Sequence, residues 1–335
     1  MEIKALIADA GLIGTALSGN IDDYPDGIII PVDKPYRWTS ADVIRKLKWA
    51  ACRHFGKKNL KVGHAGTLDP LASGVLLVCI GKATRLAESL QKEGKEYVAG
   101  ISFGATTPSY DLEKAVDRIY PTDNVNESSI KEALSGFLGE QEQVAPLFSA
   151  KSVDGVRAYE LARKQFKDRG LAKTDVIDGF DHTVAETLNV QRINIYELEL
   201  LDLSSCNAGA PLDPSRGIVA MAAGSASNTG RTQPQRSEDG LGRYSTAFRP
   251  NPRINITDTS GLNLVKATVR IACSKGTYIR ALARDLGEAL GSGAHLDSLR
   301  RTKSGGFTVE TALNVFQAID LLTNNNSSQA AGQDS

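Results

Sequence analysis

The sequence predicts an α+β fold with a mixed or antiparallel sheet and flanking helices. Apolar runs and alternating apolar residues predict more strands than helices, and the helices lack the regular rhythm of parallel βαβ units. The predicted strands cover residues 27–33, 75–80, 96–103, 191–203 and 265–273. The predicted helices begin near residues 39, 81, 129, 157 and 276.

Two local patterns fix details of these elements. Thr39-x-x-Asp42 has the form of a capping box, which predicts a helix start at that point. Within the strand 191–203, the apolar alternation changes phase after Ile195. A change of phase places one extra residue in the strand, so we expect a β-bulge there.

The composition is that of a soluble globular protein. The chain has 335 residues, 41% hydrophobic and 23% charged, and no apolar run approaches the ~20 residues that cross a bilayer. The four cysteines lie far apart without a C-x-x-C pair, and the histidines show no metal-ligand spacing. We therefore expect reduced thiols, no metal and no membrane contact. The N-terminus is a poor signal peptide, which favours a cytoplasmic protein.

Basic residues are unevenly distributed in a chain of zero net charge, which has 39 basic and 39 acidic residues. Residues 34–61 hold nine basic residues against one acid, and residues 275–303 hold six against three. A local basic face binds phosphates without the whole protein being basic. From charge alone, phosphate contacts and solvated helix faces are equally good interpretations.

Composition also divides the chain into parts. Residues 27–204 and 263–310 are predicted to form one folded domain, preceded by an extension over residues 1–26. Residues 205–262 are rich in Gly, Ser, Pro and Asn, which predicts a disordered insertion with solvated arginines. Residues 311–335 are predicted to form a short helix and a frayed tail.

Asp69 is the most informative carboxylate of the chain. It lies in a loop rich in glycine and proline, directly before the apolar run 75–80. Pro70 fixes its own φ and biases Asp69 away from helix, while the glycines permit tight turns. An Asp-Pro pair taken alone predicts an ordinary turn. A lone carboxylate held on a stiff loop against a core strand, however, is placed to do chemistry.

The surrounding residues resemble a known family. Residues 63–86 read GHAGTLDPLASGVLLVCIGKATRL, which is similar almost letter for letter to the catalytic motif of the TruB family of tRNA pseudouridine synthases. Further stretches that match the family are residues 33–35 with 39–40, 95–97, 274–282, and 293–296 with 299–301. The resemblance covers roughly residues 27 to 309, apart from the insertion.

The resemblance implies the pseudouridine-synthase fold, with a central RNA-binding cleft, and a function. The implied reaction converts uridine 55 in the T-loop of tRNA to pseudouridine. This is an isomerisation (an intramolecular transfer), so no cofactor is implied. The implied partner is the T-arm of tRNA, and a monomer is our default expectation. About 25 residues follow Val309, too few for the C-terminal PUA-type domain that many relatives carry.

The same resemblance assigns roles residue by residue. Asp69 is the expected nucleophile, Tyr278 the proton acceptor, and Arg280 the partner of Asp69. An arginine suits that place because its charge is permanent and its fork matches a carboxylate. The expected substrate-binding residues are Tyr97, which stacks on the uracil, Leu299 beneath it, His64, which enters the T-loop, Lys34 and Arg85. Arg300 and Arg301 are expected to contact phosphates or to form surface ion pairs.

Two alternatives remain at this point. The first is a non-catalytic tRNA-binding or tRNA-folding protein on the same scaffold, against which the joint presence of Asp69, Tyr97, Tyr278 and Arg280 argues. The second is a glycosidase that uses a pair of acids, for which Asp111 is the nearest candidate partner of Asp69. A pocket without a second acid would dismiss that alternative.

Overall fold

The computed structural model describes residues 3–146, 152–153, 156–157, 190–205, 250–252 and 254–323. These residues form an α+β fold on a large mixed sheet, as predicted. The strands are β1 Leu6–Ile7, β2 Ile28–Lys34, β3 Val62–Ala65, β4 Ala72–Ile80, β5 Lys95–Phe103, β6 Ala105–Thr106, β7 Arg118–Ile119, β8 Gly139–Val144, β9 Ser152–Val153, β10 Val156–Arg157, β11 Val190–Ser205, β12 Val265–Cys273, β13 Ala294–Ser304, β14 Phe307–Thr308 and β15 Leu313–Asn314. The helices are α1 Ser40–His54, α2 Ala87–Lys92, α3 Glu127–Gly136, α4 Ile279–Ala289 and α5 Val315–Thr323.

The main sheet runs in the order β1-β2-β4-β13-β5-β12-β11-β8, with β3 added to β4, β14 to β13 and β15 to β2. Most neighbours are antiparallel, but β13 runs parallel to β4, and β1 and β15 run parallel to β2. The sheet is therefore mixed. Inside the sheet, β4 pairs with β13, which brings the Asp69 loop next to residues almost 230 positions later in the chain.

Both faces of the sheet are buried at β4, because this strand is apolar on both sides. Successive side chains of a strand point to opposite faces. In β4, Leu76, Val78 and Ile80 enter the larger core, while Val75, Leu77 and Cys79 enter a smaller one. Helix α1 packs against α5, α4 packs against β13, and α3 packs against β11. These helices cover the larger core.

The local signals of the sequence are present where the structure describes them. Thr39 and Asp42 form the capping box: Thr39 Oγ1 accepts from the Asp42 backbone N–H at 3.0 Å, and Asp42 Oδ2 accepts from Thr39 N–H at 3.0 Å. The register of β11 against β12 shifts between Ile195 and Glu197, which confirms the bulge. The helix predicted from residue 157 lies outside the described residues, except for Arg157 itself, which ends β10.

The predicted insertion lies mainly outside the described residues, but its C-terminal end is described. There, Asn251 N–H donates to the Arg37 carbonyl at 3.1 Å, and Thr257 N–H donates to the Leu112 carbonyl at 2.7 Å. Ile254 packs with Leu71 and Leu112. This end of the segment therefore covers the loop that carries Asp69. No helix in the described part of the chain has the length and apolar composition to cross a bilayer.

Candidate active site

Asp69 is held on a loop between β3 and β4. Just before it, Leu68 is fixed to the first residue of α1: Ser40 Oγ donates to the Leu68 carbonyl at 3.1 Å and accepts from the Leu68 N–H at 3.0 Å. Just after it, the Asp69 carbonyl accepts from Ala72 N–H at 3.1 Å. The backbone on both sides of the carboxylate is thereby anchored to the core.

Arg280 is the ion-pair partner of Asp69. Its Nε donates to Asp69 Oδ2 at 2.9 Å, and the arginine side chain is 5% exposed while that of Asp69 is 38% exposed. Arg280 reaches this place because β12 ends at a turn through Gly276, where φ is +83° and any Cβ would collide with the Gln191 side chain. Helix α4 then begins, with Arg280 as its second residue. The carboxylate faces solvent on one side and a buried guanidinium on the other.

Asp111 is a second acid beside the same guanidinium. Its Oδ2 lies 3.8 Å from Arg280 Nε, and Oδ1 accepts from Ser109 Oγ at 2.6 Å and from Glu113 N–H at 2.9 Å. Burial raises the pKa of Asp111 to about 6, against the opposing effects of Arg280 and Ser109. Burial disfavours the charge of Arg280, but Asp69 and Asp111 together outweigh it and raise its pKa.

The pocket around these three charged groups, which we call the Asp69 pocket, is otherwise largely apolar. Its lining comprises Asp69, Leu71, Ala72, Asp111, Leu112, Arg280, Leu296, Asp297, Ser298 and Leu299. Leu299 lies there because β13 places it directly opposite Ala72 of β4. A few charged groups that converge among apolar side chains are a feature of ligand sites.

Tyr97 lies in the core behind this pocket. It stands on β5 opposite Arg301 of β13 and is 8% exposed. Burial raises the pKa of its phenol, and a side-chain hydrogen bond joins it to Arg301. Because Leu299 is two residues before Arg301 on β13, Tyr97 and Leu299 point to the same face of the sheet.

Tyr278 is the residue immediately before α4. Its backbone N–H donates to Gln143 Oε1 at 2.8 Å, and Gln143 Nε2 donates to its carbonyl at 3.2 Å. The amide of Gln143 thus fixes the start of α4, two residues before Arg280. The side chain of Tyr278 is half-buried and lies outside the lining of the Asp69 pocket.

Lys34 is fully buried beneath the Asp69 loop. Its ammonium donates to the carbonyls of Trp38 at 2.6 Å, Pro35 at 3.1 Å and Pro70 at 3.5 Å. Burial lowers the pKa of Lys34 to about 7, with the charge of Asp69 acting in the opposite direction. The structure thus places Lys34 under the loop rather than on a surface that RNA reaches.

His64 and Arg85 lie away from the pocket along the β3–β4 hairpin. His64 stands on β3 opposite Val78, and its Nδ1 is buried without a hydrogen-bond partner among the described residues. Burial, followed by the charge of Arg301, lowers its pKa. Arg85 is exposed on a 3₁₀ helix, Gly81–Leu86, at the end of β4 opposite to Asp69.

The expectation of a phosphate contact or surface ion pair holds for Arg300 but needs correction for Arg301. Arg300 forms an ion pair with Asp33, at 2.9 Å, and also donates to Ser73 Oγ. Arg301 is 1% exposed and forms no ion pair with any acid that the structure describes. It lies on a central strand, where it donates to backbone carbonyls of the segment that carries Asp69. The close packing of β13 on β4 also explains the glycine at position 74, where any Cβ would collide with the Arg301 backbone.

The two acids beside Arg280 lead to a prediction on stability. Asp111→Asn removes a carboxyl whose native pKa, about 6, lies above its ordinary value of 3.8. The native wild type then binds more protons than the unfolded chain between about pH 4 and 6, so its stability falls as pH rises through that window, by on the order of 3 kcal/mol. We expect urea unfolding from pH 4 to 7 to show this loss as a difference: relative to the variant, the wild type becomes less stable as the pH rises.

The exposed Asp26→Asn variant serves as the control for this experiment. It should keep the wild-type pH dependence, whatever its absolute stability. Parallel curves for wild type and Asp111→Asn would contradict the raised pKa.

Comparison with known proteins gives the following matches. A family model described as TruB family pseudouridylate synthase (N terminal domain) matches residues 53–217, and one described as tRNA pseudouridylate synthase B C-terminal domain matches residues 280–331. The tRNA pseudouridine synthase B of Phocaeicola vulgatus is 39% identical over 88% of this chain and 92% of its own length. That of Bacteroides thetaiotaomicron is 41% identical over 87% and 91%.

Among solved structures, a Cbf5-Nop10-Gar1 complex aligns with a TM-score of 0.49 at 24% identity. The alignment covers 92% of this chain and 57% of the other.

Proposed function

The chain belongs to the TruB family of pseudouridylate synthases, and we propose that it converts uridine 55 in the T-loop of tRNA to pseudouridine, with Asp69 as the catalytic carboxylate. The single observation that carries the assignment to Asp69 is its 2.9 Å pair with the buried Arg280 at the mouth of an apolar pocket. Pseudouridine formation breaks the N1–C1′ bond, turns the uracil and joins C5 to C1′. It is redox-neutral and draws on no group donor.

Asp69 suits the first part of this reaction. Its carboxylate is exposed on one side, so a nucleoside reaches it, and a carboxylate forms covalent intermediates with sugars or bases. Once the substrate excludes water, Arg280 supplies the counter-charge by a charge-assisted hydrogen bond in a medium of low dielectric constant. Arg280 itself is fixed by a second bond, from Nη1 to the Ser109 carbonyl at 3.0 Å.

The apolar residues of the Asp69 pocket provide a surface against which the uracil of the target uridine can pack. The target must leave its stack to enter, and extrusion costs a few kcal/mol. Contact of the uracil with Leu299 offsets part of this cost. Tyr97 shares the face of Leu299, which supports a stacking role, and base–aromatic stacking is worth about 1–3 kcal/mol. We assign removal of the C5 proton to Tyr278, whose backbone is fixed two residues before Arg280.

The two-carboxylate alternative meets its structural requirement, because Asp111 does lie in the pocket with Asp69. Family membership decides against it. The non-catalytic alternative has no structural observation in its favour.

We further propose a cytoplasmic monomer that binds the T-arm. Free thiols at Cys52, Cys79 and Cys273 fit a reducing compartment.

Product mapping tests the proposal. The protein is incubated with an unmodified tRNA transcript, and pseudouridine is mapped along the RNA. We expect one site, uridine 55, and no product with a transcript that carries cytidine at that position. Modification only at other uridines would overturn the site assignment, and no modification of any tRNA would overturn the function.

A further inference from the structure

A groove lies at the opposite end of the β3–β4 hairpin from Asp69. We call it the distal groove. It has a volume of about 610 Å³ and is lined by Ile21, Asp22, Tyr24, Pro25, Lys57, Lys58, Asn59, Leu60, Lys61, Gly81, Lys82, Thr84 and Arg85. One wall is the extension that precedes β2, and the other is the loop that leads into β3. The floor begins where β4 ends.

The distal groove carries a strong positive charge. Five cations and one carboxylate, Asp22, line it. Asp22 forms an ion pair with Lys57, at 3.1 Å, across the two walls. In the part of the chain that the structure describes, the other four cations form no ion pair. These four are Lys58, Lys61, Lys82 and Arg85. Their side chains are exposed at the rim, so an anion reaches them without any rearrangement of the fold.

The walls of the groove are preformed. The Tyr24 hydroxyl accepts from Ser18 N–H at 2.7 Å, and its ring packs edge-on against Phe55 with 6.1 Å between ring centroids. The hairpin side is tied to the floor by the bond from Gly81 N–H to the Lys61 carbonyl, at 2.8 Å. Apolar wall residues, Ile21, Tyr24 and Leu60, beneath a rim of cations fit a sugar–phosphate chain better than a small inorganic anion.

Its distance from Asp69 separates this groove from the chemistry. Strand β4 joins the two sites, and its eight steps from Ala72 to Ile80 span roughly 26 Å at the usual rise per residue. A flipped uridine and its immediate neighbours are too small to cover that length. The wall formed by residues 21–25 also lies outside both ranges matched by the family models, 53–217 and 280–331.

We propose that the distal groove binds RNA sugar–phosphate backbone remote from the target uridine, and that it contributes to affinity rather than to turnover. The inference rests on the proposed function only in taking tRNA as the natural ligand. Neutralised phosphates release counterions, so each contact adds about 0.7–0.9 to the slope of log affinity against log salt. Loss of contacts in the groove should therefore lower the salt dependence of binding without changing turnover.

The triple variant Lys58→Gln, Lys61→Gln, Lys82→Gln tests the proposal. At roughly 0.15 M salt, we expect its Kd for full-length unmodified tRNA to rise about 10- to 50-fold and its salt slope to fall by about 2. Its kcat at saturating tRNA should equal that of the wild type. Arg85 is left in place because it is already expected to bind substrate. Thermal unfolding checks that the fold is intact.

The matched control removes three cations from the opposite edge of the sheet, on α3, β11 and β12: Lys131→Gln, Arg192→Gln, Arg270→Gln. It loses the same net charge and should keep the wild-type Kd within about threefold. Wild-type binding by the groove variant would overturn the proposal. So would an equal loss in both variants, which would show only a general effect of charge.

A short stem–loop separates a remote contact from a local one. If the groove holds backbone remote from the target, an RNA too short to span roughly 26 Å should bind the groove variant and the wild type equally well. Equal losses with short and full-length RNA would overturn the remote placement. Because Kd is measured without turnover, a wild type that binds tRNA through the groove but forms no pseudouridine would disprove only the proposed function.

Discussion

Asp69→Asn should lower kcat for pseudouridine formation by at least about 10⁴-fold and leave the Kd for tRNA within about threefold of wild type. Asparagine has the same shape but lacks the charge needed to act as a nucleophile. The loop geometry should survive, because it depends on backbone bonds to Ser40 and not on the carboxylate. Single-turnover kinetics at saturating tRNA, with Kd measured separately, checks both expectations.

Asp69→Glu is the informative companion of this variant. It keeps the charge but moves the carboxylate about one methylene further from the backbone, so we expect activity well above that of Asp69→Asn and well below wild type. A purely structural role for Asp69 predicts the opposite order, because asparagine preserves the side-chain length. Wild-type turnover by Asp69→Asn would end the catalytic assignment.

Local signals explain why much of the architecture is predictable from the sequence. The apolar runs of β4 and β12, the capping box at Thr39 and the bulge in β11 depend on residues that are close together in the chain. The family resemblance adds the juxtaposition of Asp69 and Arg280, which lie 211 positions apart. Spacing alone does not reveal that contact.

What the sequence did not reveal arises from tertiary packing. Strand β13 reads as polar, with charged or hydroxyl side chains at most positions after Leu296, yet it is a central strand of the sheet. Asp297, Arg300, Arg301 and Thr302 bond to neighbours that only the fold brings together. Asp111 and Lys34 also have partners from distant segments, Arg280 and Pro70, beside bonds to residues nearby in the chain. Sequence patterns record which residues are polar, but they do not record which of them a fold can bury.

Arg301 is the clearest case of such a residue. Its Nε donates to the Val75 carbonyl at 2.7 Å, Nη2 to the Gly66 carbonyl at 3.1 Å and Nη1 to the Thr67 carbonyl at 3.5 Å. One guanidinium thus joins the backbone before and after Asp69. It also bonds to Tyr97. No acid among the described residues forms an ion pair with it, so its bonds go to neutral acceptors.

Arg301→Met should lower kcat about 100-fold, because an error of about 1 Å in the position of a catalytic group costs that much. It should also lower the free energy of unfolding by about 3 kcal/mol or more, since three carbonyls lose their donor and each buried unpaired group costs about 1–3 kcal/mol. Arg301→Lys keeps a charge but cannot span the three carbonyls. Its kcat and its free energy of unfolding should therefore lie between those of the wild type and Arg301→Met. Measurements of kcat and KM well below the unfolding temperature check the effect on turnover. Urea unfolding checks the effect on the free energy of unfolding.

The exposed Arg270, which pairs with Glu199, gives the control: Arg270→Met should change neither kcat nor KM by more than about twofold. A positioning role predicts that kcat falls while the Kd for tRNA holds, whereas simple loss of folded protein lowers the active fraction without changing kcat per active site. Active-site titration separates the two. Normal kcat per active site in Arg301→Met would show that Arg301 stabilises the fold only.

A double-mutant cycle with Tyr97→Phe tests how Arg301 acts. If Arg301 fixes the ring of Tyr97 as well as the Asp69 loop, then Tyr97→Phe and Arg301→Lys both break the bond between the two side chains, and their effects on kcat should be less than additive, with a coupling of about 0.5–3 kcal/mol. Arg270→Lys combined with Tyr97→Phe should be additive, because Arg270 is directed to the exposed Glu199. Full additivity in the first cycle would leave the Asp69 loop as the only element through which Arg301 influences the reaction.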